Sequence, residues 1–338
     1  MQKSKIRSGG LAAFVAVLAL GLAACSSGGG ASTTTTTAAA GGGAGGGVIT
    51  VGFSQVGSES GWRSANTDSI KGTLTKENGF DLKFSDAQQK QENQISAIRS
   101  FIAQKVDIIA FSPVVTSGWD QVLQEAKDAK IPVILTDRAV DSKDTSLYVS
   151  FLGSDFILEG THAGDWLVKD VAGKDTKVVE LQGTTGSAPA IDRQKGFADA
   201  IKSASNIKII DSQTGDFTRD GGKKVMEGFL NKYPGGIDVV FAHNDDMGLG
   251  AMEAITAAGL TPGKDIKIIS IDAVHDGMQA LADGKFNFIV ECNPLLGPQL
   301  ADIAKKVVAG ESVPARIVTE ETTFTQEQAK AALPDRKY

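Results

Sequence analysis

The residues able to do chemistry in this chain stand just past short apolar runs. Ser54-Gln55 follows Val48–Phe53, Asp86 follows Phe80–Phe84, Ser112-Pro113 follows Asp107–Phe111, and Asp137-Arg138 follows Pro132–Thr136. Further along, the same places hold Gln182-Gly183, Asp216-Phe217, Asn244-Asp245-Asp246 and Asp272. Trp62 and Arg63 lie a little beyond the first of these words, and Arg193 closes Ala190-Ile191-Asp192-Arg193. Carboxylates, guanidinium groups and an amide donate and accept hydrogen bonds, and single aromatics offer flat apolar plates. A sugar asks for that combination, because its hydroxyls lie at the ring edge and its C–H patches on the faces. A hydrogen bond to a charged partner contributes about 1.5–3 kcal/mol. Asp137, Arg138, Arg193, Asn244 and Asp272 supply the donors and acceptors, and Trp62 and Phe217 the plates. Core packing is the competing account of either aromatic, and a surface helix position that of Arg193. Helix capping accounts for part of the polar set, with Ser112 and Asp246 as the expected caps. It accounts poorly for Asp137-Arg138, since a helix start gains nothing from the adjacent arginine.

Other chemistries lack their residues. His162, His243 and His275 are isolated in sequence, with no HExxH word and no histidine pair at ligand spacing. Gly57-Ser58-Glu59-Ser60-Gly61 has the outline of a nucleophile elbow, but Glu59 occupies the nucleophile's place. No phosphate loop of the GxxxxGK[ST] type occurs. Gly248-Leu249-Gly250 has no third glycine, and Asp245-Asp246 beside it would repel a pyrophosphate. No calcium loop of the DxDxDG kind is present. An enzyme is therefore not expected, nor a cofactor, nor a metal.

The positions of these polar words follow from the elements between them. The apolar runs continue with Leu147–Leu152, Lys177–Leu181, Ile207–Asp211, Ile237–Ala242, Ile266–Ile271 and Phe286–Val290. Between them lie helical patterns at Gln91–Gln104, Ser117–Lys130, Ile157–Val171, Ala190–Ala204 and Leu295–Ala309. In the first of these helices Ile95, Ile98, Phe101 and Ile102 recur at three- and four-residue spacing. Near-continuous β-branched strands alternating with amphipathic helices predict an α/β fold, with parallel sheets covered on both faces. Two sheets of five or six strands fit the length better than one of ten. Open sheets of this kind bind ligands at the carboxyl ends of their strands, where the polar words fall.

The amino end reads as an address. Lys3, Lys5 and Arg7 precede an apolar stretch from Leu11 to Leu22, shorter than the about 20 residues of a membrane span. Leu22-Ala23-Ala24-Cys25 matches a bacterial lipobox, so residues 1–24 read as a lipoprotein signal peptide and Cys25 as the lipidation site. Residues 25–47 read as a flexible tether of Ser, Gly, Ala and Thr with a root-mean-square reach of roughly 25 Å. An exported protein held by lipid on the outer face of the cytoplasmic membrane is expected. A formal net charge of −6, with no Lys/Arg cluster, argues against nucleic acid as a partner. With Cys25 acylated, Cys292 remains alone, so no internal disulfide forms and no all-cysteine zinc site can be built.

Several words together carry a family resemblance. Val51-Gly52-Phe53-Ser54-Gln55-Val56-Gly57-Ser58-Glu59-Ser60-Gly61-Trp62-Arg63 resembles the opening of galactofuranose-binding proteins of ABC importers. The likeness runs on through Gln88–Ile95, Gly183-Thr184, Ala190–Phe197, Gly215–Arg219 and His243–Met247. Ribose- and galactose-type binding proteins are the wider relatives. The resemblance implies two Rossmann-like lobes with parallel sheets joined by a three-stranded hinge, the type I periplasmic-binding-protein fold. It implies an N-terminal lobe of residues 48–152 plus 292–319 and a C-terminal lobe of 153–291 plus 320–338, with crossings near 152, 291 and 320. Carried onto this chain, the ligand contacts would be Asp137, Arg138, Arg193, Phe217 with Asp216, Asn244 with Asp245, and Asp272. Ser54, Trp62 and Arg63 fall in the opening word, and Glu291 stands at the second crossing, where ribose-type relatives tend to have Gln. That change and the Ser60-Gly61-Trp62 word point to a sugar other than ribose. The expected function is capture of a monosaccharide, galactofuranose or a similar furanose or pentose, by hinge closure. The expected partners are an ABC permease and its ATPase, and the expected state is a monomer. The alternative is a receptor of the same fold feeding a chemotaxis or kinase sensor. A LacI-type regulator is excluded, because a leader and tether occupy the place of its helix-turn-helix.

Overall fold

β-Branched and aromatic runs form strands whose side chains alternate between two buried faces. Ile108 and Ala110 join one apolar cluster with Val51 and Phe53, while Ile109 and Phe111 join another with Leu135. Burial on both faces is what a parallel sheet between two helical layers requires. The computed structural model describes residues 47–338. The expected signal peptide, the lipidation site Cys25 and the tether up to residue 46 lie outside the described residues.

The first sheet places β2 (Phe80–Asp86), β1 (Ile49–Gln55), β3 (Ile108–Phe111), β4 (Val133–Thr136), β5 (Ser150–Gly153) and β11 (Arg316–Val318) side by side, all parallel. The second repeats the order with β7 (Ile207–Thr214), β6 (Thr176–Gln182), β8 (Val239–Ala242), β9 (Lys267–Asp272), β10 (Phe288–Glu291) and β12 (Thr323–Phe324). Only β12 runs antiparallel to its neighbour. Each sheet is doubly wound, and the strand order reverses between β1 and β3 and between β6 and β8. Crevices open at such points.

Helices α1 (Gly61–Thr73), α2 (Gln91–Gln104), α3 (Asp120–Asp128) and α9 (Gly297–Val308) serve the first sheet. Helices α4 (Phe156–Val171), α5 (Ala188–Ile201), α6 (Arg219–Lys232), α7 (Asp245–Ala257), α8 (His275–Ala282) and α10 (Gln326–Ala332) serve the second. The chain passes between sheets after Gly153, returns after Glu291, and crosses again between Val318 and Thr323. Leu296 and Leu300 at the start of α9 bury among Val51 and Ile70 of the first lobe, which fixes the return. One carboxylate oxygen ties all three crossings. Glu321 Oε1 accepts from Ser154 Oγ of the first, from Asn293 N of the second at 3.0 Å, and from Thr319 Oγ1 of the third at 2.8 Å.

Several expected boundaries move, two of them beside the polar strand ends. The run Leu147–Leu152 is strand only at Ser150–Gly153, because Asp144 caps a 3₁₀ turn at Thr145–Leu147 by accepting from Ser146 N. Strand β1 continues to Gln55 instead of stopping at Phe53, with Gln55 in register with Asp86 of β2. Among the described residues no helix is long and apolar enough to cross a membrane.

Candidate functional site

The carboxyl ends of the two sheets face one another across a narrow cavity. On the first-lobe side, Ser60 caps α1 by accepting from Arg63 N at 3.1 Å and so aims Arg63 at the cavity. Arg63 Nη2 donates to Asp137 Oδ2 at 2.7 Å, Nε to Glu59 Oε1 at 3.0 Å, and Nη1 to Gln55 Oε1 at 3.3 Å. Burial would lower the Arg63 pKa, but Asp137 and Glu59 outweigh it and raise it. Asp137 Oδ2 also accepts from Ser112 Oγ at 2.9 Å. Arg138 donates from Nη1 to Val114 O at 3.3 Å and stands 3.6 Å from Glu59 Oε1. Its Nε finds no hydrogen-bond partner among the described residues, and neither does Glu59 Oε2. Burial, and then the neighbouring Arg63, push Arg138 down to about 10, with Asp137 and Glu59 opposing. It remains a cation at neutral pH.

On the second-lobe side, Arg193 Nε donates to Glu159 Oε2 at 2.7 Å and Nη1 to His243 O at 2.5 Å. Nη2 lies 3.8 Å from Asp272 Oδ1. The α4–α5 contact that makes this possible depends on Gly160, where a Cβ would come within 2.2 Å of Arg193 O. Asp272 is 3% exposed, and its carboxylate accepts no hydrogen bond among the described residues. Burial lifts its carboxyl well above the usual range; Arg193 pulls the other way, and Asp245 and Glu159 add to the rise. Phe217 reaches the cavity by lying over Gly183, where any Cβ would strike its ring at 1.8 Å. Trp62 is held by its indole N–H, which donates to Cys292 O at 2.7 Å, leaving the ring as a wall.

Three cavity residues sit in left-handed backbone: Asp137 at φ 62°, Phe217 at 61° and Asp272 at 123°. Such conformations cost about 1–3 kcal/mol each and persist only where surroundings over-determine them. They turn the chain sharply at the strand ends and point these side chains into the cavity. The lobes are closed over it. Gly61 N donates to Asp246 Oδ2 at 2.7 Å, Thr116 N to Gly186 O at 2.9 Å, and the Arg138 guanidinium lies 5.2 Å from the Phe217 ring centroid.

Of the residues singled out in the sequence, Trp62, Arg63, Asp137, Arg138, Arg193, Phe217, Asn244 and Asp272 line the cavity. Ser54, Asp216, Asp245 and Glu291 do not. Ser54 is fully buried within β1, because that strand runs on to Gln55. Asp216 faces solvent, its Oδ1 accepting from Thr214 Oγ1 at 3.3 Å. Asp245 turns beneath α7, accepting from Ser270 Oγ at 2.6 Å and Val274 N at 2.8 Å. Glu291 pairs with Arg336 at 2.8 Å and accepts from Tyr338 OH at 2.9 Å on the far side of its strand. Its neighbour Cys292 takes the cavity side, as alternation along an extended chain dictates. The expected caps also change places. Ser112 and Asp246 serve Asp137 and Gly61, whereas Asn244 caps α7, accepting from Met247 N at 3.0 Å and donating to Phe217 O at 3.0 Å.

Glu59, Ser60, Pro189 and Cys292 line the cavity without having been singled out. The signal for the first two was their place between the end of β1 and Trp62; for Pro189 and Cys292 it was adjacency to Arg193's helix and to a crossing.

Two doubly wound lobes joined by three crossings and closed on a polar cavity with aromatic walls define a binding clamp. Residues 51–312 match the model of the periplasmic binding protein domain, and the chain belongs to that family. It is 54% identical over 292 residues to the galactofuranose-binding protein YtfQ of Escherichia coli K12, spanning 86% of this chain and 92% of that one. A Mycobacterium smegmatis protein solved with β-D-fucofuranose superposes with a TM-score of 0.84 at 65% identity, over 86% of this chain and 95% of its own. The binding component of the arabinose ABC transporter of Shewanella sp. ANA-3, solved with α- and β-L-arabinofuranose, gives 0.83 at 50% identity over 86% and 96%. The relatives are binding proteins, and this chain is a binding protein and not an enzyme.

Proposed function

We propose that this chain captures a monosaccharide in its furanose form, galactofuranose or a close relative, and hands it to an ABC permease driven by its ATPase. One observation carries the reading: charged donors and acceptors from two separate sheets converge with Trp62 and Phe217 on one closed cavity. The ligands of the relatives support the ring form, since galactofuranose, fucofuranose and arabinofuranose share the five-membered ring. Asp137, Arg138, Arg193, Asn244 and Asp272, joined by Arg63 and Glu59, hold ring hydroxyls, and the two aromatics cover its faces. No bond is made or broken. Ligand contacts to both lobes favour the closed form, so binding shifts the hinge population. The permease then reads the closed pair of lobes. The protein works as a monomer, exported and anchored through lipid on Cys25.

A thermal-shift screen tests the ligand class. The panel holds arabinose, galactose, fucose, ribose, the ring-locked methyl β-D-galactofuranoside, and amino acids as controls. One or two furanose-forming sugars are expected to stabilise the protein by about 2.7 kcal/mol at a hundred times Kd. A flat response to every sugar, with a shift from an amino acid, overturns the reading.

A further inference from the structure

A second cavity opens on the hinge side of Arg193. Glu159 and His162 line it, three residues apart on α4 and therefore on one helical face, and Glu321 of the third crossing lines it from the other side. Cys292, from the second crossing, lines the first cavity and brings its sulfur up to these two carboxylates from that side. A donor atom from each of Glu159, Cys292 and Glu321 lies within 4.8 Å of the others. Glu159 is 2% exposed, and its Oε1 has no hydrogen-bond partner among the described residues. Its Oε2 is taken by Arg193. A buried carboxylate oxygen with no donor is costly, and the neighbouring Glu321 adds negative charge to the same spot.

We propose that the cluster at the edge of this hinge cavity binds one zinc-class divalent cation through Cys292 Sγ, Glu159 Oε1 and a Glu321 carboxylate oxygen, with water filling the remaining position. A thiolate beside carboxylates selects zinc over calcium or magnesium, which take oxygen ligands. Burial holds the Cys292 thiol in its protonated form. Binding therefore breaks the S–H bond, forms the Zn–S bond and releases the proton to solvent, so affinity rises with pH. Single cysteines and histidines scattered along the sequence give no sign of such a site. The ligands belong to one helix and two hinge crossings, and only the fold assembles them.

The test is calorimetric titration of the full chain with zinc chloride, in a Cys25→Ser background so that Cys292 is the sole thiol. Repeating it in buffers of different ionisation enthalpy counts the protons released. One ion is expected to bind, with proton release. Cys292→Ser and Glu321→Gln should each weaken binding at least about tenfold, while His275→Ala, on a surface histidine elsewhere, leaves it unchanged. Circular dichroism checks that each variant is folded; should one not fold, the parent titration and the remaining variant decide. Absence of zinc binding by the parent, binding that survives both ligand substitutions, or equal binding of calcium overturns the proposal.

Discussion

In the first lobe two arginines, Arg63 and Arg138, share the carboxylates of Asp137 and Glu59, whereas in the second Arg193 alone stands between Glu159 and Asp272. The first group is balanced in charge and stitched by short hydrogen bonds. The second carries an excess of carboxylate, and Asp272 meets its cation only at 3.8 Å. A buried charge without close partners penalises the ligand-free protein, and a ligand hydroxyl that donates to it relieves the penalty. A sugar hydroxyl both donates and accepts, so it can accept from Arg138 Nε on one side and donate to Asp272 on the other. On the proposed reading, the first lobe is prepared before the ligand arrives, and the second gains from its arrival.

The largest test of this contrast is the pair Arg138→Ala and Asp272→Asn. Each is expected to weaken sugar binding by about 3 kcal/mol, on the order of a hundredfold, because each removes a charged partner from a buried site. Their effects on the ligand-free protein should differ in sign. Arg138→Ala lowers the melting temperature by leaving Glu59 and Asp137 short of positive charge. Asp272→Asn raises it by removing an under-paired buried charge. Thermal melts with and without sugar measure both. A lower melting temperature for Asp272→Asn would show that its carboxylate is already satisfied, and the contrast between lobes would fail.

The polar strand ends were legible because a doubly wound sheet leaves its carboxyl edges open, and the alternation of strand and helix located those edges. Asp137-Arg138 stood out because capping could not explain a cation beside an acid, and Asp272 because it follows a strand-like run. Two of the residues that lie off the cavity share one cause. Face and register inside an element depend on where pairing ends: Ser54 was drawn into β1, and Glu291 and Cys292 exchanged sides. The left-handed backbone at Asp137, Phe217 and Asp272 leaves no mark in sequence, because none of these residues is glycine. Gly183 was visible beside its strand, but its purpose as the bed of the Phe217 ring needs coordinates.

A smaller effect is expected at the rim, where the lobes touch directly. Asp246 of α7 accepts from Gly61 N at the start of α1, a charge-assisted bond at the positive end of a helix dipole. It joins the two lobes directly. Asp246→Ala should raise the sugar Kd by about 1 kcal/mol, on the order of fivefold, without touching the cavity. The loss should fall on dissociation, since a latch formed after encounter slows release more than it speeds arrival. Stopped-flow release of bound sugar measures it. An unchanged dissociation rate, or a loss confined to association, would place the closing force in the cavity alone.

The smallest expected effect on binding separates Asp245 from its cavity neighbour Asn244. Asp245 is fully buried, accepting from Ser270 Oγ and Val274 N, and burial lifts its carboxyl to about 7, the two hydrogen bonds opposing and Asp246 adding to the rise. A folded-state value above the unfolded one means that folding favours the protonated form. Its contribution to stability is then present below about 4, the ordinary aspartate value, and is lost as pH rises through about 7. Melting temperature should fall between pH 5 and pH 8, by the linkage relation, and Asp245→Asn should flatten that fall by remaining neutral throughout. Sugar affinity should stay within about twofold of the parent at either end, since the side chain lies beneath α7 and not in the cavity. A tenfold loss of affinity in Asp245→Asn with an unaltered melting profile would return Asp245 to the ligand site and move the boundary between binding and supporting residues.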